Sequence, residues 1–189
     1  MGLVRGFKAE AEALSASVRG ELGIGPYDRL DPRRLAGHLC IPILTLSDLA
    51  STTSGANYFL QDHPDVFSAV TVFEGPFRAV IHNDAHSLAR QNSNLAHELA
   101  HSLLFHEPTP ALDYIAGSRT WNSTHEAEAA WLAGALLVPS QIALATARGT
   151  LTEQHVRERL GVSKKMLDWR LKVTGAYIRA KREREMRAG

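Results

Sequence analysis

The chain has 189 residues, 44% hydrophobic and 22% charged, with a formal net charge of +1. This is ordinary globular composition on a length that buries a core, and a charge so near zero excludes binding to a polyanion through bulk attraction alone. No apolar run approaches the roughly 20 residues needed to cross a bilayer, the most hydrophobic stretch being the short segment 129–138.

The first 23 residues spread Arg5, Lys8, Glu10, Glu12, Arg19 and Glu21 among alanines, so they offer no signal-peptide core. The single cysteine, Cys40, has no partner for an internal disulfide and is expected as a small core residue in a reducing, cytoplasmic setting. Phe7, Ala11, Leu14, Val18 and Leu22 recur at helical spacing and predict a helix over 6–22. Asp31-Pro32 supplies an acidic cap and a proline in the first turn, which predicts a second helix to about Leu39. Residues 41–46 read as extended. The runs 66–73 and 77–82 are rich in β-branched and aromatic residues on either side of Glu74-Gly75-Pro76, a hairpin pattern. Two helices and a small antiparallel sheet are therefore expected before residue 83.

Residues 86–106 read as one long helix with Leu95, Leu99 and Leu103 in line and small residues at Ala96 and Ala100, which allow close packing. It carries His97-Glu98-Leu99-Ala100-His101. Two histidines four apart project from one helical face and can grip one ion. Glu98, rotated about 100° from His97, suits a carboxylate that works on a water molecule rather than on the metal itself. Two neutral imidazoles and one carboxylate leave a zinc ion with an open position, the arrangement of hydrolytic zinc sites.

A third ligand is needed. Leu104 and Glu107 stand where a metzincin has glycine and histidine, which excludes that layout. A helix opening at Ser123 offers two glutamates. Ser123 and Glu126 have capping-box spacing, so Glu126 has a structural task there, whereas Glu128 falls in line with Trp131, Leu132 and Ala135 and needs a cation. Glu128 is the expected third ligand. His106, well away from His97 and His101 around the helix, is expected to cap its C-terminal end.

The run Asn94-Leu-Ala-His97-Glu-Leu-Ala-His101-Ser-Leu-Leu, followed by Glu126-Ala-Glu128-Ala-Ala-Trp-Leu-Ala-Gly-Ala-Leu-Leu-Val-Pro139, resembles the ImmA/IrrE family of metallo-endopeptidases over roughly residues 70–175. The resemblance implies a zincin-like α+β fold with a small antiparallel sheet packed on the active-site helix. It also implies His97, His101 and Glu128 as zinc ligands and Glu98 as catalytic acid and base. The implied reaction is site-specific cleavage of a bacterial helix-turn-helix repressor of the Xre type. This chain departs from the family pattern at Ala130, where asparagine or aspartate is usual, and at Leu132, where phenylalanine is usual.

Residues 164–189 hold nine basic side chains against Asp168, Glu183 and Glu185, a basic tail on an acidic body whose simplest reading is a solvated terminus. Residues 151–160 and 164–173 have helix-turn-helix spacing around Ser163. They read either as a hairpin completing the core or as a DNA-binding element with Lys164, Lys165 and Arg170 in contact with DNA. The expected division is a peptidase domain at 1–149 and a small helical segment at 150–189. A non-catalytic regulator or DNA-binding module built on the same shell is the alternative function. Tyr58, Tyr114 and His125 are all chemically able to steady an oxyanion.

Overall fold

Helix α1 (Phe7–Glu21) forms where the apolar repeat places it, burying Phe7, Ala11 and Val18. Helix α2 (Pro32–His38) starts as expected, with the Asp31 carboxylate accepting from the Arg33 N–H at 2.9 Å. The structure is a computed structural model and describes residues 3–53, 55–75, 77–107 and 122–188. After α2 the N–H groups of Cys40 and Ile41 donate to the carbonyls of Gly37 and Ala36, a Schellman turn that holds Cys40 at φ 56°. That turn aims Cys40 outward, so it is exposed rather than the core residue expected.

Strand β1 (Ile43–Thr45) leads into α3 (Leu46–Ala50), which opens on a capping box between Thr45 and Asp48. A short helix α4 (Gly55–Asn57) and a π-helical turn (Tyr58–Asp62) follow, none of them legible in the sequence pattern. Strands β2 (Ala69–Glu74) and β3 (Phe77–His82) pair antiparallel about the turn at Gly75, where φ is 57°. The sheet order is β1-β3-β2, and β1 runs parallel to β3. The sheet is thus mixed rather than wholly antiparallel, because α3, α4 and β2 intervene between β1 and β3 and return the chain in the same direction. Strand β3 is central, paired with β2 along its length and with β1 at Val80, Ile81 and His82.

Helix α5 (Leu88–Leu103) packs on the sheet and on α6 (Ser123–Leu137). Ala96 and Ala100 of α5 and Ala129 and Ala133 of α6 are all buried. Helices α7 (Ser140–Ala147), α8 (Glu153–Leu160), α9 (Lys164–Val173) and α10 (Ala176–Ala188) complete the chain. The basic tail is the helix α10, which packs on α7 and α9. The α8–α9 turn has Gly161 at φ 65° and Ser163 capping α9 through the Met166 N–H. Val156, Leu160, Leu167 and Leu171 of this pair join the same hydrophobic core as Leu95, Leu99 and Leu132.

The last carbonyls of α6 have no helical partner, and two buried arginines supply one. Arg19 Nη1 donates to the Leu136 carbonyl at 2.7 Å, and Arg170 Nε donates to the Val138 carbonyl at 2.9 Å. Arg170 also pairs with Glu12 of α1 and is fully buried, and desolvation pushes its pKa down against the pull of Glu12. It holds α9 to α1 and α6 and is not presented to DNA. Lys164 pairs with Asp168 at the surface and Lys165 is exposed. Among the described residues no single helix is long and apolar enough to cross a membrane.

Candidate metal centre

Helical spacing brings His97 and His101 together as the sequence requires, with ring centroids 4.8 Å apart and Nε2 atoms separated by 3.2 Å. The third group at this point is Glu126. Its Oε2 lies 3.1 Å from His97 Nε2 and its Oε1 lies 3.7 Å from His101 Nε2. Four-coordinate zinc with bonds of roughly 2.0–2.2 Å spreads its ligand atoms about 3.3–3.6 Å apart, so these three donors fit one ion. The donor chemistry fits as well, since burial, followed by the neighbouring His97 charge, pushes the pKa of His101 down to about 4. At neutral pH His101 therefore offers a lone pair.

Glu128, expected in this position, lies elsewhere. Its Oε2 is 3.2 Å from His106 Nε2. The difference begins at the helix cap. Asn122, not Ser123, caps α6, its side-chain oxygen accepting from the N–H groups of Thr124 and His125. Glu126 is therefore one residue past the capping-box position and enters the site, while Glu128, about 200° further round the helix, faces a different neighbour. The apolar pattern did not reveal this because α6 is buried along nearly all of its length after Glu128, and a helix apolar all round has no preferred face.

Glu98 stands beside the donor triangle but turns toward the sheet, where Thr71 Oγ1 donates to its Oε2 at 2.6 Å. Thr71 lies on β2, which among the described residues is paired on one side only. Thr71 carries no signal in the sequence, because a threonine in a strand is ordinary. On the other side of His97 an open pocket of about 580 Å³ runs between α5, α6 and α9, lined by Arg90, Asn94, Ala130, Lys165, Met166 and Trp169. Ala130, the departure from the family pattern, forms part of its wall.

His106 does not cap α5 with its side chain. The helix ends in a Schellman turn in which the N–H groups of Phe105 and His106 donate to the carbonyls of Ser102 and His101, with Phe105 held at φ 53°. This turn folds the His106 ring back beside His101, Nδ1 to Nδ1 at 2.9 Å. Burial pushes the His106 pKa down although Glu128 opposes the shift. His125 stacks on His106 with ring centroids 4.1 Å apart and planes 6° from parallel. Of the three oxyanion candidates, Tyr58 is exposed in the π-helical turn, His125 is taken up by this stack, and Tyr114 lies outside the described residues.

No curated protein and no solved structure matches the chain. A protein-family model, Peptidase_M78, described as the IrrE N-terminal-like domain, matches residues 52–172, a span that holds the donor triangle, Thr71, Glu98, His106 and Glu128 and crosses into α9. With its HExxH helix, its glutamate-bearing partner helix and well over half its length inside that match, the chain belongs to the Peptidase_M78 family.

Proposed function

We propose that this protein is a zinc-dependent endopeptidase in which His97, His101 and Glu126 hold the ion and Glu98 is the catalytic acid and base. The observation that carries the reading is the triangle of two imidazoles and one carboxylate with a second carboxylate one residue along the same helix as His97. The ion, when bound, supplies the Lewis acidity that acidifies a water molecule and polarises the scissile carbonyl. Glu98 is held at Oε2 by Thr71 and takes the water's proton at Oε1, then returns it to the leaving nitrogen. Strand β2, whose outer edge is unpaired among the described residues, carries the Thr71 that binds Glu98, so an extended peptide can add to the sheet there. The pocket beyond His97 receives a substrate side chain, with an apolar wall and two basic groups, Arg90 and Lys165, at its border.

The family resemblance points to a helix-turn-helix repressor of the Xre type as substrate, with cleavage in the cytoplasm. Lys164 and Lys165 remain the side chains through which the C-terminal helices could also touch DNA. The test is Glu98→Gln, assayed on a helix-turn-helix repressor encoded beside this chain's gene. Cleavage should disappear while zinc content is retained. A variant that still relieves repression as well as the wild type would instead support a non-catalytic regulator.

A further inference from the structure

Outward from the donor triangle runs a second line of polar groups that the hydrolytic reading does not use. Its members come from three places. His101 is on α5, His106 follows the Schellman turn after α5, and Glu128 is on α6, two residues beyond Glu126. His106 and Glu128 are nearly buried, with side chains 7% and 13% exposed. A carboxylate and an imidazole so placed are costly unless they satisfy each other. The contacts run in order, from His101 Nδ1 to His106 Nδ1 at 2.9 Å and from His106 Nε2 to Glu128 Oε2 at 3.2 Å.

The protons in this line can be placed by elimination. Glu128, as a carboxylate, only accepts, so the His106 nitrogen facing it, Nε2, carries a proton. An ion held at His101 Nε2, the atom that faces His97 and Glu126, leaves that ring's proton on Nδ1, and His106 Nδ1, 2.9 Å away, accepts it. Reversing both histidines would put a proton on His101 Nε2, where an ion must bind, and would set two lone pairs against each other between His106 and Glu128. The carboxylate thus selects the one arrangement that leaves His101 ready to ligate.

We propose that His106 and Glu128 form a positioning relay that fixes the tautomer and ring orientation of His101 for metal binding. It rests on the assignment of His101 as a ligand under the proposed function. Partners that orient a ligating histidine through its other ring nitrogen typically carry 10–100-fold in metal affinity. Stacking on His125 and the return of the chain at Phe105 set the His106 ring plane. The left-handed conformation at Phe105, unfavourable for a residue with a Cβ, brings His106 to this position.

The relay is tested by zinc competition against a chelator and by long-range proton–nitrogen spectra of the imidazoles in the zinc-loaded protein. The spectra should show His101 protonated at Nδ1 and His106 protonated at Nε2. His106→Leu, which fills space without accepting, and Glu128→Ala should each weaken zinc roughly 10–100-fold. His106→Asn sets an acceptor near the former Nδ1 position and should recover at least tenfold over His106→Leu, a rescue that a purely space-filling role would not give. If a variant fails to fold, the wild-type spectra alone decide: a proton on His106 Nδ1 overturns the relay. So does zinc affinity within twofold of wild type in both His106→Leu and Glu128→Ala. A wild type that takes up no zinc overturns the functional reading and the relay together, whereas the preceding outcomes overturn the relay alone.

Discussion

Replacing Gly134 by alanine should destabilise this protein, although the same change in most helices does the opposite. Gly134 lies inside α6, where alanine is favoured over glycine by about 1 kcal/mol on helix propensity. Against that gain, a Cβ on Gly134 would sit 2.3 Å from Trp169 Cζ3 and 2.9 Å from Arg170 Cδ. Carbon atoms pack at roughly 3.5–4.0 Å, so the Trp169 indole must move by more than about 1 Å and Arg170, though tied to the Val138 carbonyl and Glu12, by more than about 0.5 Å. That ring lies edge-on to Trp131 at 6.0 Å and forms part of the pocket beside His97. Overpacking of this kind costs about 1–3 kcal/mol, so after the propensity gain of about 1 kcal/mol the expected net effect is a loss of up to about 2 kcal/mol, read by urea denaturation of the zinc-loaded protein. Because the displaced indole reshapes the pocket, KM should rise more than kcat falls. An alanine variant more stable than wild type would refute the close α6–α9 contact on which this reasoning depends.

Thr71→Val removes the hydroxyl that holds Glu98. A hydrogen bond to a charged group contributes about 1.5–3 kcal/mol, so kcat should fall about tenfold or more with zinc affinity unchanged, and Thr71→Ser should restore it. His82 is fully buried with no hydrogen-bond partner on either ring nitrogen among the described residues. Burial, aided by the Arg33 charge, lowers its pKa below 6.5. The unfolded chain therefore takes up a proton as pH drops through about 6.5 while the folded chain resists, so this contribution to stability is full above that pH and is lost as pH falls toward the folded pKa. His82→Leu should flatten the loss, and parallel declines of wild type and variant between pH 7 and 5 would contradict it.

The parts of this protein governed by short-range rules were legible in its sequence. Helix α1 follows an apolar repeat, α2 follows Asp31-Pro32, the β2–β3 hairpin follows Gly75, and His97 meets His101 because residues four apart on a helix must. The parts governed by contacts distant in sequence were not. Arg170 reads as an exposed basic residue in a basic tail, and only the meeting of α9 with α1 and α6 shows it buried against Glu12 and the Val138 carbonyl. The choice between Glu126 and Glu128 turned on whether Asn122 or Ser123 caps α6. Both are good cap residues, and with Asn122 as the cap Glu126 falls one position past the capping-box site. A heavier weight on Asn122 would have released Glu126 from the cap and pointed to it. His106 was misread because Phe105, an unmarked residue in the sequence, takes the left-handed conformation usually left to glycine.

The central claim is that one ion joins two helices through His97, His101 and Glu126. Crystals of the Glu98→Gln protein grown with zinc, measured on both sides of the zinc absorption edge, locate the ion directly. The account predicts a single anomalous peak within roughly 2.0–2.2 Å of His97 Nε2, His101 Nε2 and a Glu126 oxygen, with Glu128 still turned to His106. A peak ligated by Glu128, or no peak between the two histidines, would contradict it.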